Sequence, residues 1–386
     1  VRLVHFADWH LGYRAYQRQT PTGINQREAD VALAVRRCVD AALAVEPALV
    51  VLAGDVFHTP RPSNHALVHA VQQVARLTRV CPVVVVAGNH DSPRATDGGS
   101  ALPLLASVGA HVVVHAPARV RVGTVAVWGV PDTGVPQPRP LTPDPGARHN
   151  VALIHGEVAG VIPGAPARAH EMSREALAGE AWDYVALGHY HVQQQVAPRA
   201  WYAGAPDYTS SDPWAEVGAP RGGLVVDLDA GTVRPLPIEP PRRFVDLPRV
   251  SAAGLAPDAL VAAIEAAMGD PTGAVVRQVV TDCEPTVARE VTRTALRRWR
   301  RDALHVLFDV RRPARAVTAG AASTRSRQSL AEMLAEVLIR RSRATGVEAD
   351  ALLALGRTYL ARAEEASADA PALDAVCPSY PPGANA

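Results

Sequence analysis

Five short apolar runs in the first half of the chain most constrain its fold: Leu3 to Phe6, Leu49 to Ala53, Val83 to Ala87, Val151 to Ile154 and Val185 to Leu187. Several are β-branched and each ends in a polar, Gly-containing turn, the pattern of a buried strand in a sandwich or α/β core rather than of a helix. Helical patterns separate the first three. Residues 25–45 carry Val31, Val35, Cys38 and Val39, and residues 64–79 carry Leu67, Val71, Val74 and Leu77, each set on one face. Val125–Val130 and Leu224–Leu228 read as further strands. The prediction is an α/β layered domain over residues 1–245: a β-sandwich flanked by helices.

The remainder divides by composition. With 386 residues, two or three domains are expected. Pro235, Pro237, Pro240 and Pro241 read as a linker. After it, helix Ala259–Met268, strand Ala274–Val280, helix Val287–Arg300 and strand His305–Val310 predict a small α/β cap over 250–315. Residues 316–327 read as a loop. Ser329 and Glu332 form a capping box for the first of two C-terminal helices within 328–366, and 367–386 reads as a disordered tail.

The residues just after the apolar runs are more specific than the runs themselves. Asp8-Trp9-His10, Gly54-Asp55, Gly88-Asn89-His90-Asp91, His155-Gly156 and Gly188-His189-Tyr190-His191 each stand at a strand end. Loops at the carboxyl ends of strands open the crevice in which α/β proteins bind ligands. Residues i and i+2 share a side of extended chain, so Asp8 can converge with His10, and His189 with His191. Carboxylate, amide and imidazole donors without thiolate suit Mn²⁺, Fe²⁺ or Zn²⁺. Seven such donors exceed the needs of one ion. Two ions ~3.5–4 Å apart would use them all and clamp the attacking and leaving oxygens of a phosphoryl displacement.

The series D-x-H, G-D, G-N-H-D, H and G-H-x-H resembles the calcineurin-like metallophosphoesterase superfamily. Gly54-Asp55-Val56-Phe57-His58, the early Asp8, and Gly188-His189-Tyr190-His191 followed by Trp201-Tyr202-Ala203-Gly204-Ala205-Pro206 resemble the SbcD family of DNA double-strand-break repair nucleases, as does the proline-rich run into Arg242-Arg243-Phe244. The motif match covers residues 1–210; after about residue 250 only the layout is similar. The resemblance implies a metallophosphoesterase β-sandwich with a cap domain and C-terminal helices, holding two divalent metal ions, Mn²⁺. Asp8, His10, Asp55 and His191 would hold one metal, with Asp55 bridging, and Asn89, His155 and His189 would complete the second site. His90 would contact the scissile phosphate and protonate the leaving oxygen, and His58 would position the substrate or assist proton transfer. Asp91 could fix His90 or be a simple turn carboxylate. The resemblance further implies double-stranded DNA ends as substrate, a homodimer through the helices at 64–79 and 101–108, to which apolar Leu67, Val71 and Val74 would contribute, and an SMC-like, SbcC-like ATPase subunit docked on the C-terminal helices.

Composition supplies the charge argument and some exclusions. The net charge of +1 conceals an asymmetry: residues 1–246 hold 21 arginines and 22 acids, whereas residues 277–327 hold 12 arginines and 5 acids. Arg289, Arg293, Arg297 and Arg300 follow helical spacing, so one helix would present a guanidinium stripe able to neutralise DNA phosphates. No lysine occurs, so every basic contact must be a guanidinium contact. Hydrophobic residues at 48% and charged residues at 20% exclude global disorder. Four scattered cysteines without a C-x-x-C pair exclude a zinc knuckle or disulfide framework and fit a cytoplasmic setting. No leader pattern and no apolar window of membrane-spanning length occur, so no membrane role is expected. Two other readings compete with a DNA exonuclease or endonuclease: a phosphoesterase acting on nucleotides or phosphoproteins, and a non-catalytic scaffold for DNA and an ATPase, which would have eroded ligands.

Overall fold

The computed structural model describes residues 1–92, 99–132, 142–161, 177, 182–313, 330–345 and 347–368. The chain divides into two units, Val1–Ala314 and Arg315–Ala386. In chain order the first unit contains β1 (Arg2–Phe6), α1 (Gln26–Ala44), β2 (Leu49–Ala53), α2 (Asn64–Thr78), β3 (Val83–Val86), a 3₁₀ segment (Leu102–Val108), β4 (His111–Val113), β5 (Ala118–Val122), β6 (Val125–Val130), β7 (His149–His155), β8 (Tyr184–Gly188), β9 (Gln194–Ala197), β10 (Ala200–Tyr202), β11 (Gly222–Asp227) and β12 (Thr232–Pro237). Among the described residues these strands form two six-stranded sheets, ordered β12-β11-β1-β2-β3-β4 and β5-β6-β7-β8-β10-β9. Strands β1 to β4 run parallel, as do β6, β7, β8 and β10, so their carboxyl ends open on a common edge within each sheet.

The first sheet lies between the second sheet and the helices. In β2, Val50 and Leu52 join a core with Val31, Val35 and Val39 of α1 and Val74 and Leu77 of α2. Leu49, Val51 and Ala53 join instead the core shared with Val127, Val151 and Ala186 of the second sheet. β3 alternates in the same way, with Val83 and Val85 toward the helices and Val84 and Val86 toward the facing sheet. Burial on both faces is why these segments read as unbroken apolar runs.

The expected linker begins inside the fold. Pro235 and Pro237 belong to β12, which pairs only with β11 at the sheet edge. An edge strand has one side without a ladder, so proline is tolerated there.

The cap sheet then starts at Phe244 with β13 (Phe244–Asp246) and β14 (Val250–Ser251), followed by α3 (Pro257–Met268), β15 (Val275–Thr281), α4 (Pro285–Val291), a π-helical turn (Thr292–Leu296), α5 (Arg297–Asp302) and β16 (His305–Val310). β15 pairs in parallel with β13, β14 and β16. The single helix expected over Val287–Arg300 is therefore interrupted. The wider turn lets Val291, Ala295, Leu296 and Trp299 all reach the cap core with Leu260, Ile264 and Val306. It also breaks the regular 3.6-residue phase on which the expected arginine stripe depends.

The cap is fastened to the sandwich. Arg242 donates to both carboxylate oxygens of Asp30 in α1 (2.6 and 2.8 Å) and to the Gly273 carbonyl. Phe244 stacks on Tyr208 at 4.2 Å, in a small cluster with Trp214, Val275 and Leu304.

The second unit contains α6 (Leu330–Thr345) and α7 (Ala349–Ala368), packed against each other. α7 runs two residues into the expected tail. Ser329, the 316–327 loop and residues 369–386 lie outside the described residues. No helix among the described residues is long and apolar enough to cross a membrane.

Candidate metal centre

Each sheet delivers part of one cluster. Asp8 and His10 follow β1, Asp55 follows β2, and Asn89 and His90 follow β3; His155 ends β7, and His189 and His191 follow β8. The turns that aim them are strained: Asp8, His10, Asp55 and His189 have φ of 53°, 47°, 51° and 116°, a region that non-glycine residues rarely adopt. Two glycines allow the loops to approach. A Cβ on Gly88 would lie 2.1 Å from Oδ1 of Asp55, and one on Gly188 would lie 1.8 Å from the Ala53 carbonyl oxygen.

The resulting geometry is close. One donor atom from each of Asp8, His10 and His191 lies within 4.8 Å of the others, as does one from each of Asp8, Asp55 and His155. Nε2 of His10 is 3.1 Å from Nε2 of His191 and 3.7 Å from Oδ2 of Asp55. Asn89 Oδ1 is 3.0 Å from Nε2 of His155 and 3.2 Å from Nδ1 of His189. The backbone N–H of His189 donates to both oxygens of Asp8 (3.1 Å each), and that of His90 donates to Oδ1 of Asp55 (2.8 Å).

The donor set fits a divalent cation. Nδ1 of His155 donates to the Ala53 carbonyl (2.8 Å), which leaves Nε2 as the ring nitrogen turned toward the cluster. That nitrogen faces Asn89 Oδ1 and, at 3.5 Å, Asp55 Oδ2. Acceptors crowded on acceptors repel unless a cation stands among them. Electrostatics points the same way. Burial, then the charge of Asp55, raises Asp8 well above the usual carboxylate range. Burial, then neighbouring positive or imidazole groups, holds His10 well below its ordinary value and His191 at about 3. Burial and His155 lower His189 as well. The imidazoles are thus neutral and able to ligate.

His90 and His58 sit beside this set. Nδ1 of His90 donates to the His58 carbonyl (2.8 Å), and the two rings stack at 5.1 Å. Nδ1 of His58 is 3.3 Å from Nδ1 of His10. Burial and the proximity of His90 hold His58 at about 4. Asp91 does not fix His90. Its carboxylate accepts from the backbone N–H of Val56 (3.2 Å), Phe57 (2.9 Å) and Gly88 (3.0 Å), tying the Asp55 loop to the Asn89 loop.

The four stripe arginines stand apart from the cluster, exposed along the last helical segments of the cap. Arg289 donates to the Pro285 carbonyl of its own helix, and Arg293 pairs with Glu290 at 2.8 Å. Arg300 does not line the cleft; its carbonyl accepts from Arg18 (3.0 Å), and its charge acts on His305, which does.

Two acids at the site lie outside the motifs that point to it. Glu157 Oε1 lies 3.1 Å from Nε2 of His189; its i+2 spacing from His155 is the available clue. Glu216 Oε1 is 3.7 Å from Nδ1 of His191 and is itself bound by Arg221 at 2.8 Å. A cleft of ≈ 660 Å³ connects the cluster with Tyr13, Tyr16, Trp214, His305 and Leu307, the last two contributed by β16 of the cap.

A model of the family described as calcineurin-like phosphoesterase matches residues 1–193, half of the chain and every residue of the cluster. The chain belongs to the calcineurin-like phosphoesterase family. Curated relatives named "DNA double-strand break repair protein Mre11" include one from Methanopyrus kandleri, 28% identical over 257 residues, covering 60% of this chain and 55% of the relative. Another, from Methanocaldococcus jannaschii, is 38% identical over 106 residues, 27% of each chain. A third, from Methanococcus maripaludis, is 31% identical over 109 residues, 28% of each. The chain thus spans about half or less of the length of these relatives. As a calcineurin-like phosphoesterase the chain is a hydrolase of phosphate esters, and the His and Asp cluster is its candidate metal-binding site.

Proposed function

We propose that this phosphoesterase is a Mn²⁺-dependent DNA nuclease that processes double-strand ends in the cytoplasm, as the nuclease subunit of a complex with an SMC-like ATPase. The observation that carries the reading is the convergence of seven N and O donors with His90 at the floor of a cleft that His305 and Leu307 of the cap also line. The relatives' names support DNA as the substrate.

Asp8, His10, Asp55 and His191 would hold one ion, and Asp55, Asn89, His155 and His189 the other. When bound, the ions would neutralise the phosphate and lower the pKa of the attacking water. His90 supplies the leaving-group proton. With Nδ1 committed to the His58 carbonyl, its Nε2, in the doubly protonated ring, is the nitrogen that hands a proton to the leaving oxygen as the P–O bond breaks, while the water that bonds to phosphorus gives a proton to solvent, from which His90 is recharged. His58, neutral at working pH, orients the His90 ring and His10. Arg297 and Arg300, with Arg289 and Arg293 further along, would contact the DNA backbone without reading sequence.

The second unit suits the partner. α6 and α7 leave an apolar groove of ≈ 500 Å³ lined by Leu334, Leu338, Leu352, Leu355, Gly356, Tyr359 and Leu360, with Leu355 and Tyr359 55% and 63% exposed. Such a surface fits a partner's helices. For the homodimer, Val74 is committed to the core, with Leu67 and Val71 packed against it, and exposed Val68 and Leu104 would take their place.

The purified chain with Mn²⁺ should degrade linear duplex DNA and stop in chelator or as Asp55→Ala. Failure on every DNA substrate by protein that has bound its metals would refute the nuclease assignment.

A further inference from the structure

The ligands account for the floor of the cleft and leave its walls unexplained. Besides His58 and His90, the rings of Tyr13, Tyr16, Trp214 and His305 line it without holding metal, together with Leu307 and the hydroxyl residues Thr209, Ser210 and Ser211. Tyr16 lies in the loop between β1 and α1 and stacks on His305 of the cap, with ring centroids 4.2 Å apart and planes at 16°. Several contacts hold that pair. Tyr16 has a φ of 59°, and its carbonyl accepts from the Asn25 amide at 3.0 Å. Two residues later, Arg18 donates to the carbonyls of Arg300 (3.0 Å), Arg301 (2.6 Å) and Ala303 (3.3 Å), fixing the loop to the start of β16. Burial pushes the Tyr16 phenol up to about 12, and burial with the Arg300 charge lowers His305, so both rings are neutral.

Neutral rings and a leucine give a phosphate group no charge to pair with, whereas a nucleobase offers a flat π-face that stacks on them irrespective of sequence. The cleft, at ≈ 660 Å³, is the size of a small-ligand pocket (~300–1,000 Å³). It has room for a nucleotide out of its helix rather than for a stretch of duplex. Enzymes that must reach an atom inside a duplex take the nucleotide out of the stack. We propose that Tyr16, His305 and Trp214 form a base-stacking subsite beside the metal centre, so that the site acts on an unpaired nucleotide and a duplex end must fray before it is cut. The proposal rests on the DNA nuclease reading and names the form of DNA that the site takes.

Two measurements on the full chain test it. Without metal, single-stranded oligonucleotides with 2-aminopurine at either terminus are titrated to saturation. Wild type should quench the fluorescence at one terminus, Tyr16→Ala should lose most of that quenching, and Tyr16→Phe should restore it. With Mn²⁺, wild type should cleave a normal strand with kcat/KM about tenfold above that for the same strand abasic at the flanking position, and Tyr16→Ala should treat the two alike. If Tyr16→Ala slows both strands equally and quenches as wild type does, Tyr16 is merely structural and the subsite is overturned. If wild type cuts no DNA, the nuclease reading fails while the quenching still decides whether a base stacks there.

Discussion

Asp55 organises the centre as well as standing in it: Oδ1 accepts from the His90 N–H while Oδ2 faces His10 and His155. That arrangement depends on a missing side chain. A Cβ at Gly88 would collide with both Oδ1 and the backbone N of Asp55 (2.1 and 2.4 Å), so Gly88→Ala should displace the carboxylate and abolish stoichiometric Mn²⁺ binding, measured by calorimetry, with a lower melting temperature. A second residue sets an acid limit. His5 is fully buried beside the Tyr184 hydroxyl (2.9 Å), and burial lowers it from 6.5 to about 3. The unfolded chain therefore binds more protons between those values, and stability falls as pH drops through the window by about 1.4 kcal/mol per pH unit from this residue. Urea titrations should show His5→Gln losing about 2 kcal/mol less than wild type between pH 6.5 and 5; parallel losses would remove His5 as the cause. The metal donors were legible because each stands within four residues of the end of a doubly buried strand. His5 was not, because inside β1 nothing local distinguishes a buried neutral imidazole from a surface one.

Among the elements, α1 shows how a helix start can govern a cleft. Asn25 caps it, its side-chain oxygen accepting from the N–H of Arg27 (3.0 Å) and Glu28 (3.4 Å), while its amide donates to the Ala15 and Tyr16 carbonyls (3.3 and 3.0 Å). Asn25→Ala should cost about 1–2 kcal/mol in denaturant unfolding and also loosen the 13–24 loop, seen as faster amide exchange there than in β2. Unchanged exchange would confine the cap to the helix. Arg27, next along, is buried with Asp30 (3.0 Å) and Asp207 (3.1 Å). Its replacement by Met should cost ~3–5 kcal/mol in the same assay, because buried Asp207 loses its cation and Asp30 keeps only Arg242. At this scale the helices and central strands were legible from periodicity. The edge strand β12 was not, because prolines signal a linker wherever the neighbour on one side is unseen. The π-turn at Thr292–Leu296 was missed for a related reason: it answers to which side chains the cap core must receive, a tertiary demand with no local marker.

For the whole molecule, charge and modularity make separate predictions. DNA affinity should fall steeply with salt, and Arg297→Ala or Arg300→Ala should each reduce the log–log slope by about 1; an unchanged slope would place the DNA elsewhere. A chain ending at residue 313 keeps all three sheets and their cores. On the proposed reading it should retain metal binding and DNA cleavage and lose co-purification with an SMC-like ATPase. The meeting of Tyr16 with His305 was the least legible feature, since the two are brought together only by the fastening of cap to sandwich. The division of donors between two sheets also bears on time. The first sheet supplies Asp8, His10, Asp55 and Asn89, but His155, His189 and His191 emerge much later, and β11, which completes the first sheet beside β1, is later still. A nascent or prematurely terminated chain that stops before residue 191 carries an incomplete centre. On the proposed nuclease reading, the chain cannot cut DNA before most of its sandwich exists, and translation order itself keeps unfinished chains inactive.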